Sequence, residues 1–161
     1  MKKIICIILI LGALLLNVNA QKDIVRIHIR ANSDSEEDQN VKLLVRDRIN
    51  EYLSPILEKP ETKEEAMEIL ALELDNLKEI AQKTSGMECR VTLGQEKFPQ
   101  KTYGNKIYPA GEYTALIIEI GSGAGRNWWC VAFPNMCYTT SEKKVEYKSF
   151  FIELLERIGV L

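Results

Sequence analysis

The sequence predicts an α+β domain: a mainly antiparallel sheet, a helical hairpin inserted after the first strand, and a C-terminal helix, in the order β-α-α-β-β-β-β-α. Three observations predict it. Strand-like alternation appears in one early stretch, "DIVRIHIRA", and does not return until Met87. Between the two lie stretches of helical apolar spacing, each opened by a capping-box pattern. After Met87, alternating stretches punctuated by glycine and proline follow one another until a last amphipathic segment.

The elements are justified in order. In "DIVRIHIRA", Val25, Ile27 and Ile29 point one way and Arg26, His28 and Arg30 the other, which predicts a half-buried strand with His28 as a surface or interface residue. Ser33 with Glu36 three residues on is a capping-box spacing, and acids crowd this helix start, where the macrodipole favours them. Val41, Leu44, Val45, Ile49, Tyr52, Leu53 and Ile56 then keep helical spacing, and Pro55 is expected to end or kink that helix. Thr62 with Glu65 opens a second helix, whose apolar face runs from Ala66 to Ala81 and whose stop is Gly86. Strands follow in "ECRVTLG", in the hairpin region "KFPQKTYGNKIYPAGEY", in "EYTALIIEI" and in "NWWCVAF". The last of these sets Trp128 and Cys130 on one face and Trp129 and Val131 on the other. A final helix is expected after Ser141, with Gly159 as its stop.

Ahead of all this stand Met1-Lys2-Lys3, an unbroken apolar run from Ile4 to Leu16, and Asn17-Val18-Asn19-Ala20. That order predicts a secretory signal peptide over 1–20, and a single mature domain over 21–161 that is exported. The apolar run falls short of the roughly 20 residues that span a bilayer as a helix. An uncleaved anchor is the alternative. Of the 21 basic residues of the 161-residue chain, Lys2 and Lys3 leave with the leader. The 19 that remain face 23 acidic ones, a formal charge of −4. A mildly acidic, mixed surface argues against nucleic acid as a partner. Outside the cell a cysteine pair can oxidise. Cys130 and Cys137 are the expected pair, with Pro134 between them to turn the chain, and closing so short a loop stabilises by about 2–3 kcal/mol. Cys89 then remains as a buried strand thiol.

Several chemistries fail on context. Gly121-Ser122-Gly123-Ala124-Gly125 precedes a strand-forming run rather than a helix, so it reads as a hairpin turn and not a phosphate loop. Asp34, Glu36 and Asp38 match the opening of a calcium loop, but Gln39 and Val45 stand where glycine and a bidentate acid are required. His28 is the sole histidine, and no zinc spacing accompanies it, so no metal and no cofactor are expected. A cysteine hydrolase would have to join His28 to Cys130, which has a better partner in Cys137. What remains is an exposed glycine hairpin beside an aromatic anchor. It marks Arg126, Asn127, Trp128 and Trp129, joined by Asn32 and Asp34, as the candidate partner-binding surface.

Two stretches carry a resemblance: "IRANSDSEEDQNVKLLVRDRI", residues 29–49, and "YPAGEYTALIIEIGSGAGRNWWCVAFPNMC", residues 108–137. In these the chain resembles the stage II sporulation protein R family, exported signalling proteins of endospore-forming bacteria. The resemblance implies a protein made in the forespore and exported into the space between forespore and mother-cell membranes. There it would activate a membrane-embedded aspartyl protease, stage II sporulation protein GA, which processes pro-sigma-E. It would thus be a ligand and not an enzyme. The chain departs from the family pattern near Ile117, where an arginine is expected, and at Asn135-Met136, where Pro-Leu is expected. The rival readings are a secreted cell-wall-active hydrolase, using His28 with Cys130 or the acids at 34–38, and a structural envelope component.

Overall fold

The computed structural model describes residues 23–103, 105–134 and 137. Strand β1 (Val25–Arg30) leads into helices α1 (Glu36–Leu57), α2 (Lys63–Leu72) and α3 (Leu74–Ser85). Strands β2 (Cys89–Phe98), β3 (Lys101–Tyr103), β4 (Lys106–Tyr108), β5 (Gly111–Ile120) and β6 (Asn127–Phe133) follow. The class is α+β, with a mostly antiparallel sheet. The expected leader over 1–20 and the expected helix after Ser141 lie outside the described residues. Among those described, no helix is long and apolar enough to cross a membrane.

The four-stranded sheet has the order β2-β5-β1-β6. β1 runs parallel to β5, with Ile27 opposite Leu116, and antiparallel to β6, with His28 opposite Trp129. β2 runs antiparallel to β5 from Cys89 opposite Ile120 to Phe98 opposite Gly111. The helices cover one face. Val45, Ile49 and Leu53 of α1 and Leu77 and Ala81 of α3 meet Ile27, Ile29, Leu116 and Ile118 in one buried cluster. Each valine, leucine or isoleucine among them contributes about 1.5–3 kcal/mol on leaving water.

Three local expectations are corrected. The N-cap of α1 is Ser35, whose Oγ accepts from the Asp38 N–H at 3.1 Å, and not Ser33. Ser33 instead donates its hydroxyl to Asp38 Oδ2 at 2.5 Å. Of the two outcomes expected at Pro55, an end is not seen: α1 continues through it to Leu57, with Leu53 and Leu57 both buried on the core. The second helix is two helices, parted at Glu73. The Glu73 carboxylate accepts from Tyr52 Oη at 2.5 Å and Asn76 Nδ2 at 2.6 Å, which ties the break to α1. Other expectations hold. Thr62 caps α2, accepting from the Glu65 N–H, and Gly86 ends α3 at φ 67, a left-handed turn that glycine adopts at no steric cost.

The largest departure is β1. It is not half-buried: Val25 to Ile29 are buried on both faces. Two causes combine. β1 is a central strand, and on the face away from the helices the β3–β4 hairpin folds over it. Arg26, fully buried, holds that second layer. Its Nε donates to the Cys130 carbonyl at 2.9 Å and its Nη2 to Tyr103 Oη at 3.2 Å. Its guanidinium lies 4.4 Å from the Phe98 ring centre, 5.1 Å from Tyr113 and 5.4 Å from Tyr108. Rings presented to a cation in this way offset part of the cost of burying its charge.

His28 is likewise buried, at 2 % exposure, and not a surface residue. Its ring stacks on Trp129 at 3.7 Å, and its Nε2–H donates to Asn127 Oδ1 at 2.9 Å. Burial pushes the His28 pKa below 6.5, with Arg30 adding to the effect and the Asn127 bond opposing it. The folded chain therefore holds neutral histidine while the unfolded chain takes up a proton. Stability is full above pH 6.5 and falls as the pH drops from there toward the folded value. Urea midpoints measured between pH 7.5 and 5 should decline across that window. The decline should vanish in His28→Gln, because His28 is the only histidine.

Candidate functional site

The parallel pairing of β1 with β5 places the carboxyl ends of both strands at the same edge. The β1–α1 loop and the β5–β6 loop therefore leave the sheet side by side, and they are bonded into one unit. Asn32 is the hub. Its Oδ1 accepts from the Ser122 N–H at 3.0 Å, its carbonyl accepts from Ser122 Oγ at 2.6 Å, and its Nδ2 donates to Asp38 Oδ2 at 2.9 Å. The Gly125 N–H donates to the Ala31 carbonyl at 2.8 Å. The Arg126 N–H donates to Asp34 Oδ1 at 2.6 Å, and the Arg126 Nε lies 3.6 Å from the same oxygen. From below, Lys42 Nζ donates to the Arg126 carbonyl at 3.1 Å and to Gln39 Oε1 at 2.6 Å.

Glycine is required here for two reasons. Gly121 and Gly123 sit at φ 56 and 64, which makes the tight turn between β5 and β6. Gly121 also lies against the Asn32 amide, and Gly125 against the Ser33 carbonyl, so closely that a Cβ on either would collide. The glycine run is thus a close-approach turn. It leads into a strand rather than a helix.

The electrostatics follow the bonding. Hydrogen bonds, from Ser33 first and then Asn32, hold the Asp38 carboxyl below the usual carboxylate range. Its lone pairs are committed inside the loop, consistent with a helix start rather than a calcium loop. Burial, with Arg126 and Arg46 close by, lowers the Lys42 ammonium. Asp34 and Arg126 lie on the outside as an exposed pair, their side chains 67 % and 68 % accessible.

Asn32, Asp34, Arg126 and Asn127 are therefore brought together. Asn127 spends its side-chain oxygen inward, on His28. The two tryptophans diverge and are both half-buried. Trp128 packs on the helix-side core beneath Arg46, whose guanidinium is 5.8 Å from its ring centre. Trp129 joins the Phe98 and Tyr113 cluster on the other face. Sequence reasoning missed Asp38, Lys42, Gln39 and Ser122 as the residues that knit the loops. One signal was available: Asp38 and Lys42 continue the buried stripe of Val45, Ile49 and Leu53 toward the N-terminus of α1.

Cys130 and Cys137 stand at disulfide distance, with Cα atoms 5.9 Å apart. Cys89 is a free, buried thiol whose pKa burial raises, which disfavours its thiolate form.

Fold and loop clamp together define a small α+β domain with a rigid polar apex. Among the described residues, no group of histidine, cysteine, aspartate or glutamate is set to hold a metal ion. The chain belongs to the stage II sporulation protein R family, whose profile matches residues 21–143, and this gives it a role in sporulation. The stage II sporulation protein R of Bacillus subtilis (strain 168) is 40% identical over 119 residues, 71% of this chain and 53% of that protein. The chain thus spans about half the length of that relative. No solved structure matches it.

Gly125→Ala tests the clamp. The added methyl meets backbone and not a side chain that could turn away, so the variant should lose roughly 1–3 kcal/mol in urea unfolding. A midpoint equal to wild type would show that the loops are not held this closely.

Proposed function

We propose that this chain is an exported developmental signal, a ligand and not an enzyme, that activates a membrane-embedded aspartyl protease so that it processes pro-sigma-E. The protease is the one the family resemblance implies, stage II sporulation protein GA. Membership of the family over residues 21–143 carries the reading. The site supports it. Two loops joined by hydrogen bonds, among them the Arg126 N–H to the Asp34 carboxylate, present Asp34 and Arg126 outward at little conformational cost, which favours recognition of a protein surface. The hydrolase alternative in its His28–Cys130 form would need His28 as an accessible base, and the burial of that ring beneath Trp129 speaks against that form.

Coexpression of the chain with the protease and its pro-sigma substrate tests the reading. Arg126→Ala and Asp34→Ala should each cut processing by about tenfold, the scale of an interface arginine, while the protein stays folded and exported. Wild-type processing in both would exclude this patch. Failure of the unaltered chain to support any processing would exclude the signalling role itself. Export into an oxidising space further implies a closed Cys130–Cys137 bridge. Intact mass of the exported protein should fall two hydrogens short of the reduced value, and alkylation of both thiols without prior reduction would rule the bridge out.

A further inference from the structure

β2 is an edge strand with the features of a pairing surface. It is bonded to β5 on one side only, so its outer backbone groups have no ladder partner among the described residues. It is 10 residues long, holds no proline, and keeps one continuous register with β5 along its whole length. The other edge strand, β6, has 7 residues, shows a register shift beside Val25 and Arg26, and ends against Pro134. Val91 and Leu93 face the helical core but remain half-exposed at the rim, whereas their β5 partners Ile118 and Leu116 are fully buried.

We propose that β2 pairs antiparallel with β2 of a second copy of this chain, about a two-fold axis through Leu93. The sequence of the strand selects both the partner and the register. A register centred on a residue keeps both helical layers on the same face of the joined sheet; one centred between residues turns one layer over. Centred on Thr92, the pairing sets Glu88 against Glu96. Centred on Gly94, it opposes no unlike charges. Centred on Leu93, it sets Arg90 against Glu96 twice, once in each direction. In that register Thr92 faces Gly94, Val91 faces Gln95, and the two Leu93 side chains meet, completing the apolar rim. Arg90 is placed for this. Its side chain is 73 % exposed and bonded to Glu119, on the same face as Glu96, which is paired with Arg30 at 2.8 Å, so each inter-copy contact would extend an existing ion-pair network. Among the described residues, no atom lies within 4 Å of where a Cβ on Gly94 would stand, which leaves room above the strand for the facing Thr92 side chain of the second copy.

Light scattering on the exported chain should give twice the monomer mass. Leu93→Cys should yield a covalent dimer on a non-reducing gel, because residues opposed across antiparallel strands have Cα atoms about 4.5–5.5 Å apart. Thr92→Cys, facing Gly94 of the second copy, should not. Wild type, with Cys89 buried, is the blank. Leu93→Asp, which sets like charges against each other on the axis, should give a monomer with an unchanged circular dichroism spectrum. Monomeric wild type at every concentration overturns the proposal, as does equal cross-linking of both cysteine variants. Amides of β2 that gain protection only when another protein is added would assign the edge to that protein and also overturn it. None of these measurements depends on protease activation.

Discussion

The parallel pairing of β1 with β5 is the constraint on which the rest depends. It is the one parallel ladder in a sheet whose other contacts are antiparallel, and it lies at the centre. Because β1 is the first strand and β5 the second to last among the described residues, the pairing holds the helical segment on one face and the β3–β4 hairpin on the other. It also sets the ends of both strands together, and only then can Asn32 reach Ser122 and Arg126 reach Asp34. Without that juxtaposition the two loops would be ordinary connections.

Periodicity and punctuation made most of the elements legible. Alternation located β1, β2, β5 and β6, the spacing from Val41 to Leu53 located α1, and Thr62 and Gly86 marked real helix ends. These signals are local, and the misses were tertiary. Nothing within "VRIHIR" says that both of its faces will be covered, because the cover comes from residues about 75 positions later, such as Tyr103. Arg26 and His28 therefore read as a polar face although both are buried. The Glu73 carboxylate at the break is bonded to the hydroxyl of Tyr52, on a different helix. Pro55 was read by its own preference, and the burial of its neighbours overrode that preference.

The candidate site was legible in its membership and not in its wiring. Asn32, Asp34, Arg126 and Asn127 could be named from composition beside the tryptophans, and they do assemble. The tryptophans serve the two opposite faces, as strand geometry requires, and each is packed in its own cluster. The polar apex therefore rests on aromatic footings on both sides of the sheet. Asn127 joins apex to interior through His28, so the exposed loop and the buried face are bonded into one structure.

The buried guanidinium of Arg26 has one more consequence. A purely apolar layer is free to slide over its neighbour, because the hydrophobic effect has no direction. The bonds from Arg26 to the Cys130 carbonyl and the Tyr103 hydroxyl do have direction. They act as a dowel, permitting one orientation of the β3–β4 hairpin on the sheet. A lysine, with its compact ammonium and no planar fork, would leave the hairpin attached but free to pivot.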